Sequence, residues 1–351
     1  GRAKALGWPS VVQASFAHAV GFLALRKAAL AAARGHRDGE GVAPFLADLE
    51  QRVLLLEREL LAGNWQPQPL RSFRIREPKP RIVHAAAFVD RVVHHALCAE
   101  LEPLFEGMAD ADSYACRTGK GTHAAVRRVQ HHSRRYPWFV KLDIRHFFET
   151  VPHAGLLARL APTLRDPDLR ELVTRVLSVG YTTPGFGIPI GNLTSQHFGN
   201  FYLSFLDQFA RRTLRVPALV RYMDDVLLFG PDKATVRDWA VRVDAFVTQK
   251  LGLSIKHEAT IVAPVWVGVP YLGFRVWPRL IRLDAVRIRR LRRRLAMLAR
   301  RMRNGELDEA GAQRSAGAVI AWASHADTLH LRRKIVGDRL DGFHVPGGLW
   351  A

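Results

Sequence analysis

Residues 221–230, RYMDDVLLFG, set two adjacent carboxylates, Asp224 and Asp225, inside a run that is otherwise apolar. Tyr222, Met223, Val226, Leu227, Leu228 and Phe229 favour burial, whereas a pair of like charges favours water. The pattern reads as strand, tight turn, strand, because Asp is a good turn residue and the flanks are strand formers. A solvated turn, or one Asp facing solvent on an edge strand, is the ordinary explanation for the pair. A divalent cation is the other, since Mg2+ is held by a few carboxylates together with substrate phosphates.

A further acid, Asp143, ends the apolar strand WFVKLDI at 138–144, which only Lys141 interrupts. An Asp at a strand end is by default a turn former or a helix cap. If this strand lies beside the hairpin, three carboxylates converge, which is costly unless metal or protons neutralise them. Two Mg2+ ions about 3.5–4 Å apart would there clamp the attacking and leaving oxygens of a phosphoryl transfer.

The rest of the chain favours that chemistry. Its 351 residues exceed one ordinary core and fit two or three subdomains. With 52 Lys+Arg against 32 Asp+Glu the formal charge is +20, and arginine carries most of the excess. Such a charge calls for a polyanionic partner, most simply nucleic acid. A hydrophobic fraction of 48% and eight tryptophans indicate packed cores, unlike a ribosome-type structural protein. Cys98 and Cys116 have no metal-site spacing, which excludes a disulfide scaffold or structural zinc and suits a reducing cytoplasm. No apolar run is long enough to span a membrane, so no membrane partner is expected.

Periodicity gives the order of elements. Leu46, Leu49, Val53, Leu56 and Leu60 predict one helix over 45–63, and Phe73 and Ile75 a strand that halts at EPKP and resumes at 81–83. Helices follow over 88–105 and 122–132, separated by the strand or loop SYACRTGKG. Leu156, Leu157 and Leu160 mark another helix, and Leu169, Leu172, Val173, Val176 and Leu177 the next. The segment TTPGFGIPIGN is a loop, leading into a buried helix whose aromatic face holds Phe198, Tyr202, Phe205 and Phe209. After the hairpin come a helix striped by Val236, Trp239, Val243, Phe246 and Val247, the strand VPYLGFRVW, and a helix whose apolar positions alternate with arginines. The mixture predicts an α+β fold with an antiparallel sheet backed by helices and a boundary near Pro278.

These stretches resemble a known family in series. YMDD, with Asp143 in FVKLDIRHFF, is similar to the palm of a reverse transcriptase. RSFRIREPKPRIVHAAAFVDRVVHHALCAELEPLF and DSYACRTGKGTHAAV resemble the first two blocks of bacterial reverse transcriptases, GIPIGNLTSQHFGNFYLSFLD the fourth, and VGVPYLGFRVWP the strand with the primer-gripping turn. The fourth block has Pro189, Ile190 and Gly191 followed by Ser195 and Gln196, where group II intron enzymes usually have Pro-Gln-Gly and Ser-Pro. In that it resembles the enzymes of diversity-generating retroelements, which copy a template RNA with frequent errors opposite adenines. A retron, antiviral or intron-type reverse transcriptase is the alternative, and an RNA-binding protein that keeps the fold without activity a more distant one.

The resemblance implies a right-hand polymerase: an N-terminal helical extension over 1–65, fingers over 66–142, a palm over 143–278 with a finger-like helical segment near 155–185, and a thumb over 279–351. It implies that Asp143 and Asp224 hold two Mg2+ ions, with Mn2+ as a substitute, and that Asp225 contributes less. Lys79 and Arg81 would reach the dNTP triphosphate, and Phe148 would exclude a ribose 2′-hydroxyl, one of Phe147 and Phe148 being a core residue. Ile190, Gly191 and Gln196 would line the base-pair pocket. Lys120, in a glycine loop too short for a P-loop, would contact the template, and Leu272 and Gly273 the primer end. Arg289 and Arg293, within the acid-free stretch 287–303, would lie on the RNA–DNA hybrid. The usual lysine before the threonine is here Ala259, leaving Lys256 to reach in or the contact absent. The segment AWASHADTLHLRR is shorter than in relatives. No maturase, integrase or ribonuclease H segment is expected after GGLWA, so strand transfer and RNA removal would need other factors. A small basic oligomeric accessory protein is the expected partner beside template RNA, in the cytoplasm of a prokaryote or a phage-infected cell.

Overall fold

The computed structural model describes residues 14–75, 80–179 and 183–337. Short helices Phe16–Val20 and Phe22–Ala32 precede the pair Ala43–Ala47 and Leu49–Leu61. The single helix expected over 45–63 is therefore two, because Asp48 leaves the helical region at φ −126° and ψ 41°. This N-terminal layer packs its Leu25, Val53, Leu56 and Leu60 into the same core as Val92, Leu97 and Leu101 of the long Phe88–Met108 helix. Between them β1 (Arg71–Ile75) and β2 (Arg81–Ala85) form an antiparallel pair in which Ile75 faces Arg81, while most of EPKP lies outside the described residues.

The central sheet explains why VLLF is apolar without alternation. It has the order β4-β5-β3-β6, with β3 at Trp138–Asp143, β4 at Ala218–Tyr222, β5 at Asp225–Gly230 and β6 at Ile261–Pro264. Successive side chains of a strand point to opposite faces. Val226 and Leu228 join the core shared with Phe198, Phe201, Val236 and Val243, from the Leu193–Gln208 and Lys233–Leu251 helices. Leu227 and Phe229 join a second core with Val126, Val129, Tyr271, Phe274 and Leu295. Both faces are covered, so both sets must be apolar.

The stretch VPYLGFRVW is not one strand but a hairpin, β7 (Val269–Tyr271) and β8 (Phe274–Val276), turned by Leu272 and Gly273. Leu272 at φ 48° and Gly273 at φ 79° supply the left-handed pair that a two-residue turn needs. The sheet continues past Pro278 into β9 (Ile281–Leu283), and the arginine-rich helix Ala285–Arg303 begins after it, capped by Asp284. Helices Glu309–Ala323 and Leu329–Gly337 complete a mixed α+β architecture. Among the described residues no helix is long and apolar enough to cross a membrane.

Candidate active site

Tyr222 closes β4 opposite Asp225, the first residue of β5, so Met223 and Asp224 form a two-residue turn. Met223 is left-handed at φ 55°, a conformation that costs a non-glycine residue about 1–2 kcal/mol. Strain of this kind persists only where its surroundings over-determine it. The adjacent β3–β5 ladder sets Asp143 directly opposite Asp225. The register thus brings the three predicted acids to one end of the sheet.

Lys141 lies two residues before Asp143 and so on the same face of β3. Its Nζ stands 3.1 Å from Asp225 Oδ1, and both side chains are only about one-fifth exposed. Burial pushes the Asp225 carboxyl up to about 6 even against this ammonium. Asp224 is also pushed up to about 6, by burial and then by the charge of Asp143, with Arg81 and Lys141 opposing. The site therefore holds acid oxygens whose charge is only partly compensated. Among the described residues no three His, Cys, Asp or Glu side chains are gathered closely enough to hold an ion unaided. An all-oxygen donor set of this kind fits a hard cation that completes its shell with phosphate and water oxygens.

Backbone bonds fix the neighbours. Lys256 N donates to the Asp143 carbonyl at 2.8 Å, a backbone bond that fixes the main chain at Lys256 next to that of Asp143. Tyr271, buried in β7, donates through its hydroxyl to the Asp225 carbonyl at 3.3 Å and joins the Leu272–Gly273 turn to the acidic hairpin. The sequence marks Lys141 only as an interruption of its strand and gives Tyr271 no mark at all. For Lys141 the signal is its period-2 spacing from Asp143, in a strand with no other charge.

Phe147 is the core member of the aromatic pair, 2% exposed, while Phe148 is only partly buried. A bond from Ile188 N to the Phe148 carbonyl, 2.7 Å, ties that position to the loop before Ile190. His84 N of β2 donates to the Ile190 carbonyl at 2.8 Å. Gly191, at φ 113°, has no room for a side chain: a Cβ would lie 2.6 Å from Val83 Cγ1 and 3.1 Å from the His84 carbonyl. Its glycine thus has an intrachain reason, the docking of β2. Gln196 sits half-buried in the first turn of its helix. Arg81, exposed at the start of β2, is near enough to weigh on Asp224, whereas Lys79 falls outside the described residues.

Lys120 is engaged by its own loop. Its Nζ meets the Ala111 carbonyl at 2.6 Å and lies 4.9 Å above the Tyr114 ring. On the Ala285–Arg303 helix Arg289 and Arg293 are exposed, but Arg287 turns inward. Its guanidinium donates to the Leu272 carbonyl at 2.9 Å and lies 4.8 Å from the Trp322 ring centroid. Not all of the arginine face is therefore available to a ligand.

The family model described as reverse transcriptase (RNA-dependent DNA polymerase) matches residues 75–276, and the chain belongs to that family. Protein YkfC of Escherichia coli K12 is 28% identical over 185 residues, 49% of either chain. Group II intron-encoded protein LtrA of Lactococcus lactis subsp. cremoris is 25% identical over 169 residues, 46% of this chain and 28% of that one. The matches thus span half or less of these relatives' lengths. The solved apo telomerase of Candida tropicalis aligns with a TM-score of 0.49 and 10% identity, over 78% of this chain and 60% of that one. The family is drawn more broadly here than the Ile190–Gln196 block narrows it, since the relatives include intron-encoded proteins.

Proposed function

We propose that the chain is an RNA-directed DNA polymerase of the group II intron-like kind, making cDNA from a template RNA. The observation that carries this is the β3–β5 register, which sets Asp143 opposite Asp225 with Asp224 on the adjoining turn. Two Mg2+ ions, with Mn2+ as a substitute, would be held by Asp143 and Asp224 and would supply Lewis acidity for nucleotidyl transfer. Asp225, already paired with Lys141, is the lesser contributor. Arg81 and Lys79 meet the dNTP phosphates, and Phe148 faces the sugar. Tyr271 holds the primer-gripping turn, Leu272 and Gly273, against the acidic hairpin. The arginine-rich helix follows the phosphates of the RNA–DNA hybrid, and Lys120 meets the template in exchange for its Ala111 carbonyl. The units 66–142, 143–278 and 279–351 act as fingers, palm and thumb.

Primer extension on an RNA template with Mg2+ tests the reading. Asp143→Asn and Asp224→Asn should each abolish synthesis and leave RNA binding nearly intact, while Asp225→Asn keeps more activity. Wild-type extension in either of the first two variants would overturn the assignment.

One block supports a narrower reading. Ile190, Gly191, Ser195 and Gln196 match the pattern of diversity-generating retroelements, in which a loosened base-pair check produces errors at template adenines. A tenfold change in error ratio needs only about 1.4 kcal/mol between competing transition states, which one pocket contact can supply. Sequenced cDNA should then show errors concentrated opposite adenine, and Ile190→Gln should reduce that bias more than it slows extension. The small basic accessory protein belongs to this narrower reading. Errors spread evenly over the four template bases, with that protein and the full template RNA present, leave the intron-type enzyme.

A further inference from the structure

Arg221 opens the stretch RYMDD, and its side chain is wholly buried. Its guanidinium makes a forked pair with Asp207 of the Leu193–Gln208 helix, Nε to Oδ1 at 2.8 Å and Nη2 to Oδ2 at 2.7 Å. Asp207 is itself 1% exposed. The remaining nitrogen, Nη1, donates to Asn200 Oδ1 at 3.1 Å and to the Met223 carbonyl at 3.3 Å. That carbonyl belongs to the peptide joining Met223 to Asp224.

The same residue grips the neighbouring loop through its backbone. Arg221 N donates to the Asp112 carbonyl and Tyr114 N to the Arg221 carbonyl, each at 2.9 Å. Asn200 Nδ2 adds a bond to the Ala115 carbonyl at 2.8 Å. The loop then runs on to Lys120 and returns, Gly121 N donating to the Tyr114 carbonyl at 2.9 Å.

Stability alone is a poor reason for such an arrangement. A buried ion pair loses so much hydration that apolar residues of like volume are often as stabilising or more so. What apolar residues cannot do is point a donor at one chosen carbonyl. Met223 is held in a left-handed conformation without glycine's freedom, and the group bonded to its carbonyl is this guanidinium. A lysine could pair with Asp207 but lacks the planar fork that reaches three partners at once.

We infer that Arg221, braced by Asp207 and Asn200, is a positioning unit. It fixes the peptide leading into Asp224 and joins the acidic turn to the loop that carries Lys120. The inference deepens the polymerase reading and rests on it.

The full chain carrying Arg221→Lys or Asn200→Ala tests this. Both variants should keep the wild-type circular dichroism spectrum and bind template–primer within about twofold of wild type. Mn2+ affinity, read from loss of the free-ion electron paramagnetic resonance signal, should weaken by about tenfold, with a matching rise in the Mg2+ needed for half-maximal extension. The single-turnover rate should fall by roughly 10- to 100-fold, the scale of a sub-ångström to ångström misplacement of reacting groups. If Arg221→Lys does not fold, Asn200→Ala decides, because it keeps the Asp207 pair. Wild-type Mn2+ binding and Mg2+ response in the folded variants would overturn the inference. So would loss of folding in both, which would make the unit a stability element. Failure of the unaltered chain to extend a primer would instead count against the polymerase reading, with the Mn2+ comparison still judging the positioning unit.

Discussion

Lys141 Nζ stands 3.1 Å from Asp225 Oδ1 across the β3–β5 ladder, so the acid that opens β5 has a counter-cation in the neighbouring strand. Removing one partner of a largely buried pair leaves the other uncompensated, whatever the net value of the intact pair. Lys141→Met should therefore lower stability by about 1–3 kcal/mol in the absence of divalent ions. Added Mg2+ should recover part of the loss, and so should Asp225→Asn in the same chain. Thermal melting of the unaltered chain, Lys141→Met and the double variant, with and without Mg2+, is the measurement. An unchanged melting temperature in Lys141→Met would mean that the pair contributes nothing.

The acids were legible and their support was not. Asp143, Asp224 and Asp225 interrupt apolar runs, which makes them visible, and the strand–turn–strand order follows from the same interruption, although only the β4–β5 register places the turn at Met223–Asp224. The choice between Phe147 and Phe148 also followed the expectation that only one could pack. Partners formed across long sequence separation are a different matter. Nothing in the spacing of Asp207 and Arg221 announces their pairing, because a helix and a strand meet there only once the sheet is assembled. Gly191 belongs to the pocket expected around the base pair, but its immediate neighbours are Val83 and His84 of β2, a contact between segments about a hundred residues apart that spacing alone does not reveal. Arg287 belongs to the stretch expected on the hybrid, and a run of charges gives no hint of which member faces Trp322 instead. Asp48 splits a helix whose apolar stripe runs straight through it.

Asp90 and His94, one turn apart on the Phe88–Met108 helix, should give opposing pH dependences that nearly hide each other. Burial lowers the His94 imidazole to about 4, so between its ordinary value and 4 the unfolded chain binds the extra proton and stability falls with pH. Burial raises the Asp90 carboxyl to about 6, so between 6 and its ordinary value the folded chain binds the extra proton and stability rises as pH falls. Compared with the unaltered chain, His94→Gln should gain stability on going from pH 6.5 to about 4, and Asp90→Asn should lose it. Urea unfolding at several pH values checks this, and parallel curves for all three proteins would remove the assignment.

Gly119 and Gly273 separate backbone strain from crowding. Both are left-handed, at φ 72° and 79°, but a Cβ at Gly119 would meet nothing within 4 Å. At Gly273 it would lie 1.7 Å from Arg287 Nε. Gly119→Ala should cost about 1–2 kcal/mol from conformation alone. Gly273→Ala should cost more, because Arg287 must leave the Leu272 carbonyl or the turn must shift, and primer extension should suffer with it. Equal melting temperatures for the two variants would show that Arg287 moves away freely.

Arg289 and Arg293 are four residues apart on the Ala285–Arg303 helix, so they share a face, and both are exposed. The apolar stripe of that helix, Leu291, Leu295 and Leu298, is buried and fixes which side looks outward. An outward face in a stretch with no acid is either a phosphate track or a surface that repels itself. If it is a track, each arginine displaces condensed counterions from the hybrid, and the logarithm of affinity falls with the logarithm of salt by about 0.7–0.9 per contact. Replacing both with Ala should then weaken template–primer binding to a similar degree for every sequence and lower the salt slope by roughly two, one per lost contact. Arg287→Ala should act differently, through the Leu272 turn that its guanidinium holds, and should change the extension rate more than the salt slope. Binding titrations between low and moderate salt, with the three proteins side by side, distinguish these effects. A slope unchanged in the double variant would place the hybrid on another face and leave this one to solvent or a protein partner.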